Sequence, residues 1–271
     1  MAEYIWLMLL GLVVGTYGTL IGAGGGFVLV PALLLLYPND NPEIITSISL
    51  AVVFFNAASG SIAYTRMKRI DFKSAFIFAG ATIPGAILGA LSTSQIPRKV
   101  FDIMLGGLML AASAFLLFYT NKFKSAKKQD TRYHLNRILT EKDGTTYTYS
   151  YNMLTGISLS FFIGFISSFL GIGGGIIHVP VLTHILNFPV HLATATSHLI
   201  LAIIALTGTI VHVASGSFTY GIHRTAALSV GVLIGAQLGA LLSNRIKGKW
   251  IIKGLAIGLA FVGLRLLITF L

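Results

Sequence analysis

The chain contains no cysteine and very little charge, and these two absences exclude several classes of protein. Without cysteine there is no disulfide framework, no thiol nucleophile and no zinc–thiolate site. Charged residues make up 10% of the 271 residues, whereas ordinary soluble domains carry about 25%. Hydrophobic residues make up 55% and are spread over many apolar runs, so a cleaved signal peptide does not account for them. The composition predicts an all-α integral membrane protein.

Acidic side chains are missing from the interior of the apolar runs. Cation pumps and many proton-coupled carriers place Asp or Glu inside the membrane, so this absence argues against a cation as cargo and favours an anion or a neutral solute. We expect neither a cofactor nor a metal ion. All eight acidic residues lie in loops or near segment ends: Glu3, Asp40, Glu43, Asp71, Asp102, Asp130, Glu141 and Asp143.

Basic residues are plentiful, and the formal net charge is +11. They concentrate in a few loops between apolar segments, as the positive-inside tendency predicts for loops that face the cytoplasm. We therefore interpret them as determinants of topology. The expected partner is the lipid bilayer, and nucleic acid is not expected to bind.

A glycine signature occurs twice and is the most specific pattern in the chain. Residues 21–31 read IGAGGGFVLVP and residues 170–180 read LGIGGGIIHVP, 149 positions apart. Each triplet interrupts a long apolar run, where each glycine costs about 1 kcal/mol of helix stability relative to alanine. Broken membrane helices at corresponding positions of two halves point to the substrate site of a transporter.

Other positions match between the halves, such as Ser49 with Ser197 and Pro31 with Pro180. We predict two homologous four-segment halves, at residues 1–120 and 151–271, joined by a basic cytoplasmic linker at 121–150. The predicted apolar segments are 4–37, 44–65, 72–91, 100–120, 152–186, 192–214, 222–243 and 250–271.

The first segment of each half is too long for one straight span. Residues 4–37 would form a helix of about 51 Å, against a hydrocarbon core of about 30 Å. Either the segment tilts across, which makes the halves parallel, or it folds back as a re-entrant helix, which makes them inverted repeats. If the segment folds back, 15 of the 19 Lys and Arg residues lie on one side of the membrane, whereas only 13 do if it spans. We therefore favour inverted repeats with both termini outside. The parallel arrangement stays open.

A glycine break leaves backbone N–H groups free at the start of the next helix, where the macrodipole adds about half a positive charge. Such a helix end binds an anion without any charged side chain. Polar side chains within the following segments are candidates to line the same pathway. The candidate substrate-binding residues are Gly24, Gly25, Gly26, Phe27, Ser49, Asn56, Gly173, Gly174, Gly175, Ile176, His178, Ser197 and His198.

The doubled Gly-x-Gly-Gly-Gly-x-x-x-Val-Pro signature, the eight apolar segments, the duplicated unit and the basic linker resemble the sulfite exporter TauE/SafE family. The resemblance covers the chain outside residues 121–150. It implies a multi-pass permease of the bacterial or archaeal inner membrane, for sulfite or small organosulfur anions such as sulfoacetate. Carried over by position, Gly24–Gly26 and Gly173–Gly175 are the paired substrate loops, with Ser49 and Ser197 as their polar partners.

The leading hypothesis is a secondary transporter that works by alternating access, not an enzyme. An anion channel of similar selectivity would need the same chemistry. An intramembrane serine hydrolase is a further alternative, because Ser59 and Ser215 lie in Ala-Ser-Gly-Ser sequences and histidines are available for a Ser–His dyad. The sequence leaves the exact substrate, the direction and the coupling ion open, and a homodimer is considered alongside a monomer.

Overall fold

The computed structural model describes residues 2–118, 134–243, 245 and 248–268, and the first part of the predicted linker, residues 121–133, lies outside them. Within these residues the chain forms ten α-helices and one β-hairpin. The elements are α1 (Ala2–Ile21), α2 (Gly26–Leu36), α3 (Pro42–Arg66), α4 (Phe72–Ser92), α5 (Arg98–Phe118), β1 (His134–Thr140), β2 (Thr146–Asn152), α6 (Met153–Phe169), α7 (Gly175–Pro180), α8 (Val190–Ala214), α9 (Ile222–Ser243) and α10 (Gly248–Ile268).

The prediction of an all-α membrane protein is confirmed. Five of the described helices, α1, α3, α4, α8 and α9, are long and apolar enough to cross a bilayer. Large hydrophobic side chains such as Trp6, Phe76 and Phe261 are exposed on the outer surface of the helices. Such a surface requires lipid around it, because a soluble protein exposes few contiguous apolar patches of this size.

The first segment of each half folds back at its glycines. The Tyr37 hydroxyl, just after α2, donates a 2.8 Å hydrogen bond to Glu3 at the start of α1, so the two ends of this segment lie together. In the second half, the Phe188 ring after α7 lies 4.5 Å from the Tyr149 ring, just before α6. Each glycine loop is therefore the tip of a hairpin of helices and not a bend in one long span.

The first helix of each half packs against a helix of the other half. A methyl group on Gly15 of α1 would lie 2.7 Å from the Cα atom of Val232 in α9. One on Gly89 of α4 would lie 2.9 Å from the amide nitrogen of Phe169 in α6. The glycines at four-residue spacing thus let backbones touch, which is how helices associate tightly in a bilayer. The pairs α1–α9 and α4–α6 therefore form two closely packed units.

Helices α3 and α8 lie between these units and run antiparallel. Gly60, late in α3, faces His198, early in α8, with 2.6 Å between the position of a Cβ and the imidazole Cδ2 atom. Gly208, late in α8, faces Leu50, early in α3, with a corresponding distance of 2.7 Å. Because α3 follows α2 and α8 follows α7 in the chain, their crossing brings corresponding parts of the two halves together.

The sequence analysis did not predict the β-hairpin. It lies in the part of the chain that was assigned to the linker, and β1 and β2 pair antiparallel with His134 opposite Asn152. Asp71, which caps the start of α4, attaches the hairpin to the membrane helices. Its buried carboxylate accepts hydrogen bonds from Arg137 Nε at 2.9 Å and from the Tyr149 hydroxyl at 2.7 Å.

Charge pairing sets the ionisation of this junction. Burial pushes the pKa of Asp71 upward, but the hydrogen bonds from Arg137, Ser74 and Tyr149 outweigh burial and hold that pKa below its ordinary value. Burial and the neighbouring carboxylate raise the pKa of Tyr149, so its hydroxyl stays a donor. The hairpin is thus held by an ionised carboxylate with several donors around it.

We expect Asp71→Asn to lower the free energy of unfolding by ~2 kcal/mol at neutral pH, because charge-assisted hydrogen bonds are lost. A carboxyl with a lowered folded-state pKa stabilises the protein above its unfolded-state pKa and loses that contribution as the pH falls through the folded-state value. The deficit of the variant should therefore shrink below about pH 4. Thermal unfolding of the detergent-solubilised parent and variant, at neutral pH and below about pH 4, measures this deficit.

Asp143→Asn is the matched control, because Asp143 lies in the exposed turn of the same hairpin and its side chain accepts a bond from the Thr145 amide. It should unfold at the same temperature as the parent. A pH-independent deficit in Asp71→Asn would contradict the role assigned to its charge.

Candidate functional site

The glycine breaks have the same backbone conformation in both halves. Gly24 and Gly25 have φ angles of +73° and +82°, and Gly173 and Gly174 have φ angles of +78° and +94°. This left-handed region is open to glycine at no steric cost, whereas other residues rarely adopt it. The glycines therefore end α1 and α6 and start α2 and α7, as the sequence analysis predicted.

The two loops contact each other at the centre of the protein. A Cβ atom on Gly26 would lie 2.6 Å from the carbonyl oxygen of Ile172. A Cβ atom on Gly175 would lie 2.6 Å from the Cα atom of Ala23. Each helix that begins after a break therefore begins directly against the loop of the other half.

The first turns of these two helices keep uncommitted amides. In the described part of the chain, the backbone N–H groups of Gly26, Phe27, Gly175 and Ile176 donate to no acceptor. In α2 the first backbone hydrogen bonds run from the amides of Val28 and Leu29 to the Gly25 carbonyl. In α7 they run from the amides of Ile177 and His178 to the Gly174 carbonyl. No side chain caps either helix. Four donors and two positive helix ends are thus grouped where the loops meet.

Ser49 and Ser197 hold the loops from the opposite halves. Ser49 of α3 donates a 2.7 Å hydrogen bond to the carbonyl of Gly171. Ser197 of α8 makes the corresponding bond, at 3.4 Å, to the carbonyl of Gly22. The two predicted polar partners thus lie at the site, and their hydroxyl hydrogens are used by loop carbonyls. In this conformation their role is to position the loops.

Asn56 and His198 belong to one buried polar cluster beside the first loop. The Asn56 amide donates to the Gly24 carbonyl at 3.0 Å and accepts from the Thr19 hydroxyl at 3.1 Å. The same hydroxyl lies 3.2 Å from Nε2 of His198. Tyr64 donates to the Thr19 carbonyl at 2.8 Å and its ring lies edge-on to the imidazole. The sequence analysis did not single out Thr19, which connects the two predicted residues.

His178 does not join this cluster. It lies on α7 beyond the loop, and its Nε2 atom is 3.3 Å from the hydroxyl of Ser160 on α6.

The two serines of the hydrolase alternative, Ser59 and Ser215, are hydrogen-bonded to backbone carbonyls. Ser59 donates to the carbonyl of Leu233, and Ser215 donates to the backbone carbonyl of His212. Among the described residues, neither of these two serines is hydrogen-bonded to an imidazole.

Val53 and Leu201 occupy the space between the glycine tips. A Cβ on Gly173 would lie 2.6 Å from Val53 Cγ1 and 2.7 Å from Leu201 Cδ1, and Val53 Cγ1 lies 3.2 Å from the corresponding position on Gly24. Both side chains are fully buried. Sequence reasoning missed them because apolar residues in an apolar segment carry no chemical signal. The conformation seen is therefore closed to an ion at its centre.

The two halves differ in polarity around their loops. Asn56 corresponds by position to Ile204, which lies 3.2 Å from a Cβ on Gly174, and His198 corresponds to Leu50. Ser167 Oγ, 2.7 Å from the same Cβ, is buried and has no hydrogen-bond partner among the described residues. The polar cluster thus accompanies the first loop, and the second loop has a more apolar surround, with the unsatisfied hydroxyls of Ser167 and Ser168 just before it.

The comparison with known families decides the class of this architecture. The model of the family described as "Sulfite exporter TauE/SafE" matches residues 7–266. The chain belongs to the TauE/SafE family. It is a multi-pass cell-membrane protein of a family of membrane transporters, and the matched range of this TauE/SafE member includes both glycine loops and the β-hairpin.

Two relatives match this TauE/SafE protein over nearly the full length of both chains. "Probable membrane transporter protein YunE" of Bacillus subtilis is 33% identical over 98% of this chain and 97% of its own length. "Probable membrane transporter protein MJ0441" of Methanocaldococcus jannaschii is 24% identical over 97% of this chain and 94% of its own. A second Bacillus subtilis relative, YdhB, is 28% identical over 88% of each chain. No solved structure gives a significant match.

Proposed function

We propose that this protein is a secondary transporter that carries a small sulfur oxyanion or organosulfonate, such as sulfite or sulfoacetate, across the inner membrane. The anion binds the backbone amides at the paired glycine breaks. The observation that carries the proposal is the meeting of two helix starts whose amides, at Gly26, Phe27, Gly175 and Ile176, are uncommitted.

Amide donors suit a small oxyanion for a physical reason. Two helix starts together present about one positive charge as partial charges, which attracts an anion without holding it as tightly as a buried arginine would. The acidic residues of the described chain lie away from this junction, at the ends of the helices, so no carboxylate there repels an anion. A carrier needs such intermediate affinity, because its cargo must leave as well as bind.

We further propose that the halves are inverted repeats that exchange access between the two sides. The antiparallel crossing of α3 with α8 supports this. Helices α5 and α10 are also antiparallel, because Ser113, late in α5, donates a 2.7 Å hydrogen bond to the carbonyl of Ala256, early in α10. The closely packed pairs α1–α9 and α4–α6 are the units that would rock against each other around the loops.

The closed centre suggests where the movement begins. Val53 and Leu201 must part before an anion can reach the amides, and each side chain belongs to a different half. Withdrawal of the side chains toward one side at a time would open the site alternately. A channel would instead need both to withdraw together.

The test is uptake of labelled sulfite into proteoliposomes that contain the purified protein, with sulfoacetate and sulfate as further substrates. We expect saturable uptake that small sulfonates compete for, and acceleration by unlabelled substrate on the opposite side. Uptake that neither saturates nor shows counterflow would instead support an anion channel. Uptake no greater than that of protein-free liposomes for all three anions would refute the proposed substrate class.

A further inference from the structure

Three buried histidines, His178, His198 and His212, have a ring nitrogen without a hydrogen-bond partner among the described residues, and of these His198 lies beside the first glycine loop. It is 0% exposed, and it faces Thr19 of α1 together with Asn56 and Tyr64 of α3. Its Nδ1 atom has no hydrogen-bond partner among the described residues. Buried polar atoms in native proteins nearly always have a partner, so an unsatisfied ring nitrogen at a proposed transport site requires a reason.

The hydrogen bonds around Thr19 determine which ring nitrogen carries the proton. Asn56 donates to the Gly24 carbonyl through its NH₂ group, so its oxygen must accept from the Thr19 hydroxyl. Because the single hydrogen of the Thr19 hydroxyl is donated to Asn56, the hydroxyl oxygen must accept in its contact with His198, and Nε2 must donate. Nε2 is protonated, and the lone pair of the neutral imidazole is on the unpartnered Nδ1.

The charged groups nearby do not compensate a protonated ring in this closed conformation. Of the side chains that face His198 from α1 and α3, Tyr64 alone can ionise, and it is neutral at physiological pH. From α4, Asp71 contacts α8 through a bond from its amide to Thr196, while its carboxylate is paired with Arg137. An imidazolium at this position would be a buried cation without a counter-charge, which is costly.

His198 is nonetheless placed beside the proposed path of the anion. It precedes Leu201, which fills the gap between the glycine tips, by three positions, so the two side chains share a face of α8. Its neighbour Ser197 holds the Gly22 carbonyl, and Asn56 holds the Gly24 carbonyl. When Leu201 withdraws, the ring is the next ionisable group on that side of the loops.

We propose that His198 takes up a proton at Nδ1 when the anion binds, so that the protein carries a proton together with its anion. This inference rests on the proposed function above. A proton from water on the side of entry adds to the Nδ1 lone pair, the anion supplies the missing counter-charge, and both are released on the opposite side. By linkage the anion then raises the affinity for the proton, and the proton raises the affinity for the anion by the same factor.

The experiment uses proteoliposomes with a pH-sensitive dye inside and labelled sulfoacetate outside, because sulfoacetate keeps a constant charge between about pH 6 and about pH 8, the range in which an ordinary histidine titrates. We expect the wild-type protein to acidify the lumen by about one proton for each anion taken up, since one imidazole titrates. His198→Gln, which keeps a polar side chain of similar length, should take up the anion without acidification and with a higher half-saturating concentration, because the linked proton is lost.

His212→Gln is the matched control. His212 is also a buried histidine of α8, but it lies near the other end of that helix and corresponds by position to Tyr64. It should behave like the wild type. Thr19→Val is a second variant that keeps His198 and removes the acceptor of its Nε2 proton, and it should move the pH dependence of uptake to lower pH.

The outcomes separate this inference from the proposed function. Equal acidification by wild type and His198→Gln, or anion uptake by wild type without acidification, would overturn proton coupling through His198 and leave the transporter standing. Absence of uptake of sulfite, sulfoacetate and sulfate by wild type would overturn both proposals. If His198→Gln does not fold, an unshifted pH profile in Thr19→Val overturns the inference and a lowered one supports it. If the protein carries only sulfite, wild type and His198→Gln are compared at one pH. The protons that sulfite itself carries then contribute equally to the acidification by the two proteins.

Discussion

The Gly26→Ala/Gly175→Ala double variant is expected to reduce sulfite transport by at least about 100-fold, because a shift of about 1 Å in a positioned site can have an effect of this size. Both glycines are helical and neither has a positive φ, so alanine fits the backbone of each. The added methyl groups, however, would lie 2.6 Å from the Ile172 carbonyl oxygen and 2.6 Å from the Ala23 Cα atom. The loops must move apart, which displaces the starts of α2 and α7 and their four amides relative to each other.

Gly80→Ala/Gly107→Ala is the control for this pair. These glycines lie in α4 and α5, and no atom lies within 4 Å of a Cβ added at either position. The same chemical change should leave transport unaltered and stabilise the helices slightly. Initial uptake rates, normalised to the amount of protein in the membrane, measure the effect. If the test pair transports within about twofold of its control, the amides do not form the site.

The structure also explains why alanine at these positions is a better test than a large residue at Gly25 or Gly174. Those two glycines have positive φ angles, so any side chain strains the backbone there. At Gly25 the added Cβ would also lie 2.8 Å from the Val14 carbonyl oxygen. Loss of transport in such variants would reflect misfolding as well as a blocked site.

The second large effect is expected in Val53→Ala/Leu201→Ala. These side chains fill the space between the tips, so their truncation should let larger sulfonates pass and should weaken the barrier in the closed state. We expect uptake of benzenesulfonate to rise at least about tenfold, since even one methylene in an apolar pocket changes discrimination by that order. Parallel measurements of sulfite and benzenesulfonate uptake give the change in selectivity.

Truncation of buried residues also costs stability, by about 2–5 kcal/mol for Leu→Ala. Leu105→Ala in α5 controls for this cost, because Leu105 is equally buried but, unlike Val53 and Leu201, does not lie against the glycines at the two tips. It should lower the unfolding temperature without changing selectivity. An unchanged ratio of sulfite to benzenesulfonate uptake in the double variant would show that Val53 and Leu201 are not the barrier.

Much of the fold could be predicted from the chain because the bilayer imposes simple rules. Apolar segments long enough to span must be helices, since lipid offers no partners for backbone N–H and C=O groups. Residues 44–65, predicted from hydropathy, correspond to α3 at Pro42–Arg66, and residues 222–243 correspond to α9. The glycine triplets likewise identified the helix breaks, because φ angles of about +80° are local properties of glycine.

The β-hairpin was not predicted because its stability depends on contacts with residues that are distant in the sequence. Its position is set by the bond of Arg137 to Asp71 and by the packing of Tyr149 and Tyr151 on Phe188. A two-stranded hairpin alone is marginal in water. A short polar stretch with many charges is therefore not distinguishable from a linker until its docking surface is known.

The sequence by itself determined the membrane class and the two glycine breaks and predicted two duplicated halves, because hydropathy, repetition and backbone freedom are encoded residue by residue. Only the tertiary structure decided that the breaks meet, that Ser49 and Ser197 hold loops of the opposite halves, and that Val53 and Leu201 lie between the tips. It also decided that His198 reaches Thr19, which is 179 residues away in the chain. Such contacts follow from how α3 and α8 cross, and helix crossing is set by the packing of the whole bundle.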